Sequence, residues 1–465
     1  MATPDGKFTY DRRLDSTFVF GHVMGYQPGM SLTCMGQPLN LTTDGAFLAF
    51  VPIPWEAETL GWSFALTNVG AGISGLFFPY EPAPEATDPV WQELDGVVGF
   101  VVNDPTSHTR TVPGGSYHLF PSVGTELAVN AVTEKWARFE LGEGRTGAIE
   151  RRFVDSTGVI APGYATLGNG QVGPVSTTKL RSTVGVEFAV SGRTLNEVQT
   201  SPDGREVLIT LFQTRAAIDR IRYIGAAREF IEDITWSQGA ETLTLRVLVR
   251  HRSLVGYRVE ASDSTWTLNL DFSSDNADRL RGKTIVLDPG HGGTADGAIG
   301  PRGSKEKDVV LRWSEVLTDV LRANGAVVYR TREADVAMDL HERANFARLH
   351  NTDAFLSLHA NALPDGENPF ERRGCGTYYY QSLSRGLAET VHEAILSRTG
   401  LADDGVFDAN FAVVRPTDFP AVLIEAAYIM HPDEELLLSD DQFLRQLSRG
   451  VTDGLVKFFS KVPAR

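Results

Sequence analysis

The sequence predicts a multidomain protein in which all-β modules, of the sandwich or small-barrel type, precede an α/β domain with helices on both faces of a mostly parallel sheet. The chain has 465 residues, which is more than one core usually takes, because domains commonly contain roughly 100–200 residues. Before about residue 275, short strand-like runs are separated by turns that contain Gly and Pro. After that point β-patterned and α-patterned segments alternate, which is typical of α/β domains.

The first part of the chain has the period-2 hydrophobicity of half-buried strands. In "TWTLNLDF", Trp266, Leu268, Leu270 and Phe272 fall on one face, and the polar residues between them fall on the other. The run "TLTLRVLV" has the same pattern, and tripeptides such as "PDG" and "PGG" provide the turns. We therefore expect antiparallel sheets with short connections.

Two stretches suggest breaks within this β-rich part. They are "EPAPEATDP" at residues 81–89 and "GNGQVGPVSTTK" at residues 168–179, both rich in Gly, Pro or small polar residues. These breaks predict three β modules, which cover residues 1–82, 88–170 and 174–274.

The second part, residues 280–465, is predicted to be the α/β domain. The run "KTIVLD" has the composition of a buried strand, and apolar residues at helical spacing predict a helix over residues 308–324, which Gly325 ends. Further segments alternate along the chain. They are the strands "AVVYRT", "AFLSLHA" and "PAVLIEAAY" and the helices "LHERANFARLHN", "SRGLAETVHEAILSRTG" and "DDQFLRQLSRGVTDGLVKFF".

The overall composition excludes several classes of protein. The net charge of −16 argues against nonspecific nucleic-acid binding, which requires a basic surface. No apolar run approaches the roughly 20 residues of a transmembrane helix, so no membrane insertion is expected. Cys34 and Cys375 are the two cysteines, which excludes a disulfide framework. The start "MATPDGKF" does not have the pattern of a signal peptide.

Three predicted strands of the α/β domain carry an ionisable residue at or just past their carboxyl end. His291 follows "IVLD", His359 ends "FLSL", and Glu425 ends "AVLI". Burying such groups without partners is costly, and sites of α/β sheets form at the carboxyl ends of strands. We therefore expect these side chains to converge.

Glu306 follows a Gly-rich loop that is flexible enough to fold back beside His291. His291, Glu306 and His359 then supply two imidazoles and a carboxylate, a set that suits catalytic zinc with water as the fourth ligand. Glu425 would remain free to accept a proton. Taken singly, His291 is also compatible with a surface loop and Glu306 with a helix start, where acids favour the dipole.

Four sequence blocks together resemble one known family. They are "VLDPGHGG" continuing to "DGAIGPRGSKEKDVVL", "VVYRTREADVAMDLHERANFA", "TDAFLSLHANA" and "NFAVVRPTDFPAVLIEAAYI". In this order they resemble the zinc-dependent N-acetylmuramoyl-L-alanine amidases of bacterial cell-wall hydrolases, the type 3 amidases. The resemblance covers about residues 280–462 and predicts that this part is the catalytic domain.

The resemblance implies Zn²⁺ bound by His291, Glu306 and His359, with Glu425 as the catalytic glutamate. These are the residues that the strand ends and the Gly-rich loop already indicate. The implied reaction is hydrolysis of the amide between N-acetylmuramic acid and the L-alanine of the peptidoglycan stem peptide.

Five further residues fall in matching blocks. Asn361, Asn410 and Arg415 are expected to contact substrate, whereas a scaffold role is expected for Asp335 and Arg343. The chain departs from the family after Glu425, where it reads "AAYIMH", and this departure is expected to alter the rim of the cleft.

The implied substrate places the protein in the cell envelope, in the periplasm or outside the cell. The stretch after His359 is short, so we expect no built-in helical plug over the site. Control by a regulatory protein, or by the N-terminal modules of the same chain, remains open.

The β-rich half resembles known modules only loosely. Module 1–82 looks like an immunoglobulin-like sandwich, 88–170 looks like a small SH3-type barrel, and 174–274 is reminiscent of β-rich wall-targeting domains. Wall binding is expected of them, with a plain spacer role as the alternative.

Two other functions stay open at this point. A zinc peptidase that cuts elsewhere in the stem peptide would use the same ligands, because zinc and a base can cleave any amide. A wall-binding protein with an inactive hydrolase domain is the second, against which the intact set of four residues argues.

Overall fold

The structure is a computed structural model that describes most of the chain. The described residues are 8–10, 14–53, 59–67, 73–82, 90–159, 165–177, 181–192, 194–250, 254–273, 280–364 and 366–461. Within them no helix combines the length and the apolar character that crossing a membrane requires. Cys34 and Cys375 are both buried thiols that form no disulfide.

The strands are numbered β1 to β29 along the chain. In order they are Phe8–Tyr10, Ser16–His22, Ser31–Cys34, Gln37–Leu39, Ala46–Pro52, Thr59–Thr67, Ile73–Pro82, Gln92–Val102, Thr109–Arg110, Glu126–Val132, Trp136–Gly142, Arg145–Glu150, Val154–Val159, Ala165–Thr177, Arg181–Val190, Asn196–Thr200, Glu206–Phe212, Thr214–Ala216, Ile221–Tyr223, Ile231–Gln238, Thr242–Val249, Leu254–Ala261, Thr265–Ser273, Thr284–Pro289, Val327–Arg330, Ala354–Asn361, Cys375–Tyr379, Asp403–Asp408 and Ala421–Tyr428. The helices, numbered α1 to α6, are Ala227–Phe230, Glu306–Ala323, Leu340–Leu349, Arg385–Thr399, Pro432–Ser439 and Asp441–Lys461.

The first part of the chain is β-rich and the last part is α/β, as the sequence predicts. Strands β1 to β23 form five sheets, and β24 to β29 form a sixth. The predicted alternation in "TWTLNLDF" is confirmed, because Trp266, Leu268, Leu270 and Phe272 of β23 are all fully buried. These side chains share one core with those of β21, the run "TLTLRVLV".

The predicted break at residues 168–179 is wrong. Most of this stretch belongs to β14, which pairs antiparallel with β15. The glycines serve close packing rather than turns: a Cβ on Gly170 would lie 2.5 Å from the Phe188 ring, and one on Gly173 would lie 2.8 Å from the Ile224 carbonyl. The other predicted break falls largely on residues 83–89, which lie outside the described residues.

The sheet of the α/β domain has the strand order β25-β24-β26-β29-β27-β28. The pairs β24–β25, β24–β26, β26–β29 and β27–β28 run parallel, and β27 runs antiparallel to β29. Ile285 and Leu287 face a core shared with α2, α4 and α6, whereas Val286 faces Ala347 of α3 on the opposite side. Helices therefore cover both faces, and the ends of β24, β26 and β29 meet at one edge, called here the carboxyl edge.

Four elements of this domain differ from the prediction. Helix α2 starts at Glu306, two residues before the predicted helix start. Strands β27 and β28 and helix α5 have no counterpart among the predicted segments. Strand β28, the run "DDGVFD", lies at the border of the sheet. It has too few apolar residues to show the period-2 hydrophobicity that predicts a strand.

The first β module packs against the carboxyl edge. In β2, Phe18 and Phe20 face the α/β domain, whereas Val19 faces the core of the module itself. The apolar contact between the two parts joins Phe18, Phe20 and Leu48 to Leu363, Tyr428 and Met430. Beside it, Arg302 pairs with Asp44 of the module (Nε–Oδ2 2.6 Å) and with the buried Glu435 (Nη1–Oε2 3.1 Å).

The third β module contacts the opposite edge, where the strands begin. The Tyr257 amide donates to the Thr417 carbonyl at 2.7 Å, and the Arg181 guanidinium lies 3.7 Å from the Asp353 carboxylate. Both ends of the sheet are therefore in contact with the β-rich half of the chain.

Candidate metal centre

The loop after β24 carries His291 in a backbone conformation that fixes its direction. His291 has φ = 60°, an uncommon value for a residue with a side chain, and its carbonyl accepts a hydrogen bond from Arg343 Nη2 at 2.8 Å. Gly290 lies so close to His359 that a Cβ there would be 2.3 Å from the imidazole. Gly297, with φ = 72°, makes a similar approach to Glu306. The glycines let this loop fold against the other strand ends.

Three side chains predicted as metal ligands converge at the carboxyl edge. His291 Nε2 lies 3.0 Å from Glu306 Oε2, and His359 Nδ1 lies 2.8 Å from Glu306 Oε1. The two imidazole rings are nearly perpendicular, with centroids 5.0 Å apart. One potential ligand atom from each of the three residues lies within 4.8 Å of the others. Two nitrogens and one carboxylate oxygen at this spacing form a donor set for zinc.

Glu306 is the buried anion at the centre of this cluster. Its Oε2 accepts from the Ala298 amide at 2.8 Å, and its Oε1 accepts from the Ala360 amide at 3.1 Å. Burial opposes its ionisation, but the hydrogen bonds with His291 and His359 outweigh burial and hold the pKa of Glu306 well below its usual range. For His359, burial favours the neutral ring, yet Glu306 and Glu425 raise its pKa overall.

Glu425 lies directly beside the cluster on the neighbouring strand. It is paired in register with His359 of β26 on one side and with Gly376 of β27 on the other. Its Oε2 is buried and has no hydrogen-bond partner among the described residues. Burial raises the pKa of Glu425 to about 8; His359 opposes the rise, and the charges of Glu306 and Asp404 add to it. A buried carboxyl group with a spare oxygen is suited to exchange a proton.

A second buried acid, Asp288, stabilises the loop that carries His291 through hydrogen bonds. Asp288 at the end of β24 is fully buried, and its Oδ1 accepts from Arg343 Nη1 at 2.7 Å and from Thr331 Oγ1 at 2.6 Å. Its Oδ2 accepts from Ser357 Oγ at 2.8 Å. These contacts agree with the scaffold role expected for Arg343.

Asp335 also connects separate segments of the domain through its hydrogen bonds. It accepts from the Gly293 amide at 2.7 Å and from Lys307 Nζ at 2.9 Å. The salt bridge connects the residues after β25 to the start of α2 and to the loop of His291. This placement agrees with the scaffold role expected for Asp335.

Of the residues expected to contact substrate, Asn361 lies at the metal centre and the other two lie farther along the domain. Asn361 ends β26 two residues after His359, and its side chain interacts with the Tyr378 hydroxyl. Arg415 Nε donates to Asn410 Oδ1 at 2.6 Å, and Asn410 Nδ2 donates to the Tyr117 carbonyl of the second β module at 3.2 Å.

One acid that influences Glu425 was not predicted: Asp404 lies across β27 from Glu425, and its charge adds to the raised pKa of Glu425. The Asp404 carboxylate, on β28, binds the Arg372 guanidinium (Nη2–Oδ2 3.0 Å) and accepts from the Tyr428 hydroxyl at 2.9 Å. Tyr378 of β27 lies alongside. The aromatic and Thr-containing run "GTYYY" is the signal that could have placed β27 here, because such residues favour strands.

Comparison with known proteins identifies relatives of the α/β domain. A family profile described as N-acetylmuramoyl-L-alanine amidase matches residues 285–457. The probable cell wall amidase LytH of Staphylococcus epidermidis is 36% identical over 200 residues, which cover 42% of this chain and 66% of that protein. The Staphylococcus aureus protein of the same name is 35% identical over 220 residues, covering 44% of this chain and 72% of its own length.

Solved structures give matches over the same part of the chain. The N-acetylmuramoyl-L-alanine amidase AmiC2 of Nostoc punctiforme is 32% identical, with a TM-score of 0.36, and covers 39% of this chain and 98% of its own. The catalytic domain of CwlV, an N-acetylmuramoyl-L-alanine amidase from Bacillus (Paenibacillus) polymyxa, is also 32% identical, with a TM-score of 0.36, and covers 38% and 97%.

Proposed function

The chain belongs to the N-acetylmuramoyl-L-alanine amidase family, and from this membership and the metal centre we propose that it is a zinc-dependent peptidoglycan hydrolase. The bond it would cleave is the amide between the lactyl group of N-acetylmuramic acid and the first L-alanine of the stem peptide. The observation that carries the proposal is a three-residue metal-binding cluster with an unpartnered, buried glutamate directly beside it.

The chemistry of the cluster fits zinc. His291, Glu306 and His359 would hold the ion with two nitrogens and one oxygen, a ligand set typical of catalytic zinc sites, which also bind water. Bound there, zinc would lower the pKa of its water towards about 7 and polarise the carbonyl of the amide. The two amide donors from Ala298 and Ala360 keep the Glu306 carboxylate oriented towards both histidines.

Glu425 would perform the proton transfers. Its free, buried oxygen takes the proton of the attacking water, and the protonated carboxyl group then donates it to the leaving alanine nitrogen. The burial that raises the pKa of Glu425 favours the protonated carboxyl group, which is the form that donates in the second step. On the neighbouring strand β27, the residue paired with Glu425 is Gly376, which has no side chain to pack against the carboxyl group.

The substrate places the proposed activity in the cell envelope, periplasmic or extracellular, on peptidoglycan. The β-rich half would bind the wall or position the α/β domain on it. Its contacts with both edges of the sheet support a fixed arrangement of the two halves.

The products of the zinc-loaded full chain on purified peptidoglycan test this function, with mass spectrometry as the readout. Stem peptides with a free N-terminal L-alanine and sugar chains without peptides are the expected products. Shorter peptide fragments would instead identify a peptidase that acts elsewhere in the stem. Absence of products from the zinc-replete protein would contradict hydrolysis and favour a wall-binding protein.

A further inference from the structure

Two guanidinium groups lie over the same aromatic ring where the second β module meets the α/β domain. Arg110 Cζ lies 4.1 Å from the ring centroid of Tyr117, and Arg415 Cζ lies 4.2 Å from it. Arg110 and Tyr117 belong to the β module, whereas Arg415 belongs to the α/β domain. Each contact is favourable by itself, but two cations close to one ring repel each other.

In the described part of the chain, Arg110 and Arg415 have no carboxylate partner. Among the described residues, no Asp or Glu oxygen lies within salt-bridge distance of Arg110 or Arg415, although the chain has 59 acidic residues and 43 basic ones. Arg138 of the same β module shows the usual arrangement: it lies over the Trp91 ring and is paired with Glu93 at 2.8 Å. An anion from outside the chain would relieve the repulsion between Arg110 and Arg415.

Donors remain available at this junction. Arg110 Nη1 donates to the Gly115 carbonyl at 2.6 Å, and its unpartnered Nε is buried, so Nη2 is the nitrogen of Arg110 that has no acceptor among the described residues and is left for a ligand. Arg415 is oriented by Asn410, which accepts from Nε at 2.6 Å and from Nη2 at 3.2 Å. The guanidinium geometry allows each arginine to bind a carboxylate with its remaining N–H groups.

A line of contacts connects the junction to Glu425. Phe411 follows Asn410 in the chain, is 45% exposed, and has its ring 5.5 Å from that of Tyr378. Tyr378 in turn interacts with Asn361 and with the charge of Glu425. We take this line as the path of an extended stem peptide, which advances about 3.3 Å per residue.

From this geometry we propose that Arg110 and Arg415 together bind a free carboxylate of the stem peptide while its first amide lies at Glu425. The assignment rests on the proposed function, because it takes the stem peptide as the ligand. A phosphate-bearing wall polymer would offer similar charge, but the contacts through Phe411 and Tyr378 lead to the scissile amide and therefore favour the peptide. The second β module would then contribute to substrate recognition.

Calorimetric binding of two synthetic stem tripeptides to the full chain tests the proposal. The peptides are L-alanyl-γ-D-glutamyl-diamino acid with all its carboxylates free, and the same peptide with every carboxylate amidated. Arg110→Gln should raise the Kd of the free-acid peptide about tenfold and leave that of the amidated peptide unchanged, since one charge-assisted contact is lost. Arg110→Lys should restore part of the affinity, and the matched control Arg138→Gln should bind both peptides as the wild type does.

Binding is measured without turnover, so the two proposals fail separately. A charge-dependent Kd that Arg110→Gln abolishes supports the anion site even if no muramyl amide is cleaved. Equal changes for both peptides, or no change for either, would overturn the anion site while amidase activity could stand. Loss of polyglycerol phosphate binding in Arg110→Gln, with peptide binding intact, would also overturn it and point to a wall polymer.

Discussion

Two buried acids of one sheet are placed in opposite ways. Asp288 has both oxygens engaged by Arg343, Thr331 and Ser357, and these contacts hold the loop of His291 in place. Glu425, two strands away, is buried with a free oxygen beside His359. This difference favours a structural role for Asp288 and supports the proton transfer proposed for Glu425, because an unpartnered buried carboxyl group costs stability that a structural role does not require.

The largest effect is expected from His359→Ala. The variant removes one of three ligand atoms and the direct neighbour of Glu425, so metal and activity should be lost together. Metal content by mass spectrometry and peptidoglycan hydrolysis measure both. A zinc-replete, active His359→Ala protein would remove this residue from the site.

Asp288→Asn tests whether the buried Asp288 carboxylate stabilises the fold. It leaves the Arg343 guanidinium buried without its anion, which should cost about 3–5 kcal/mol of unfolding free energy. Denaturant unfolding measures this loss. Asp453→Asn, which removes an exposed partner of Arg398, is the matched control and should cost less than about 1 kcal/mol. Equal losses in the two variants would refute the structural role of Asp288.

Gly290→Ala tests the close packing around His359 without removing a proposed metal ligand. The added methyl group would lie 2.3 Å from the His359 imidazole, so the ring must shift and zinc affinity should fall at least tenfold, or about 1.4 kcal/mol. Competition with a chelator measures the affinity. Gly386→Ala, whose Cβ would meet its nearest neighbour at 3.8 Å, should retain wild-type affinity. Unchanged affinity in Gly290→Ala would show that this close approach is irrelevant to the metal.

The smallest effects are expected where the first β module meets the carboxyl edge. Arg302→Gln leaves the buried Glu435 without its cation and should cost about 1–3 kcal/mol. Asp44→Asn removes a partner that is 43% exposed, so solvent screening should keep the cost below about 1 kcal/mol. Thermal unfolding of both variants ranks them, and a larger loss in Asp44→Asn would reverse the assignment.

The convergence of His291, Glu306 and His359 could be predicted because each of these residues stands in a recognisable local pattern of the sequence. His359 and Glu425 end apolar runs that read as buried strands, and the Gly-rich loop before Glu306 predicts a chain that folds back. Which other residues lie close to them in space depends on the order of the strands in the sheet. The charge of Asp404 acts on Glu425 because β28 pairs with β27, the strand between them, and the hydrophobic pattern of β28 is too weak to predict a strand.

Contacts between distant parts of the chain could not be predicted from the sequence either. The glycines of residues 168–179 predicted a break, but they allow β14 to pack closely against the Phe188 ring. Nothing near Tyr117 in the sequence indicates that Arg415, almost 300 residues later, lies over its ring. Such pairs follow from how the modules dock, and local periodicity contains no information about docking.

The most direct test of the account is to measure zinc content and turnover of Glu425→Gln in one preparation. Glutamine keeps the size of the side chain and removes the proton acceptor, while His291, Glu306 and His359 remain intact. We expect wild-type zinc content with turnover reduced by about 10²–10⁴-fold. Loss of zinc from the variant, or turnover at the wild-type rate, would contradict the role of Glu425 as the base beside a separate metal centre.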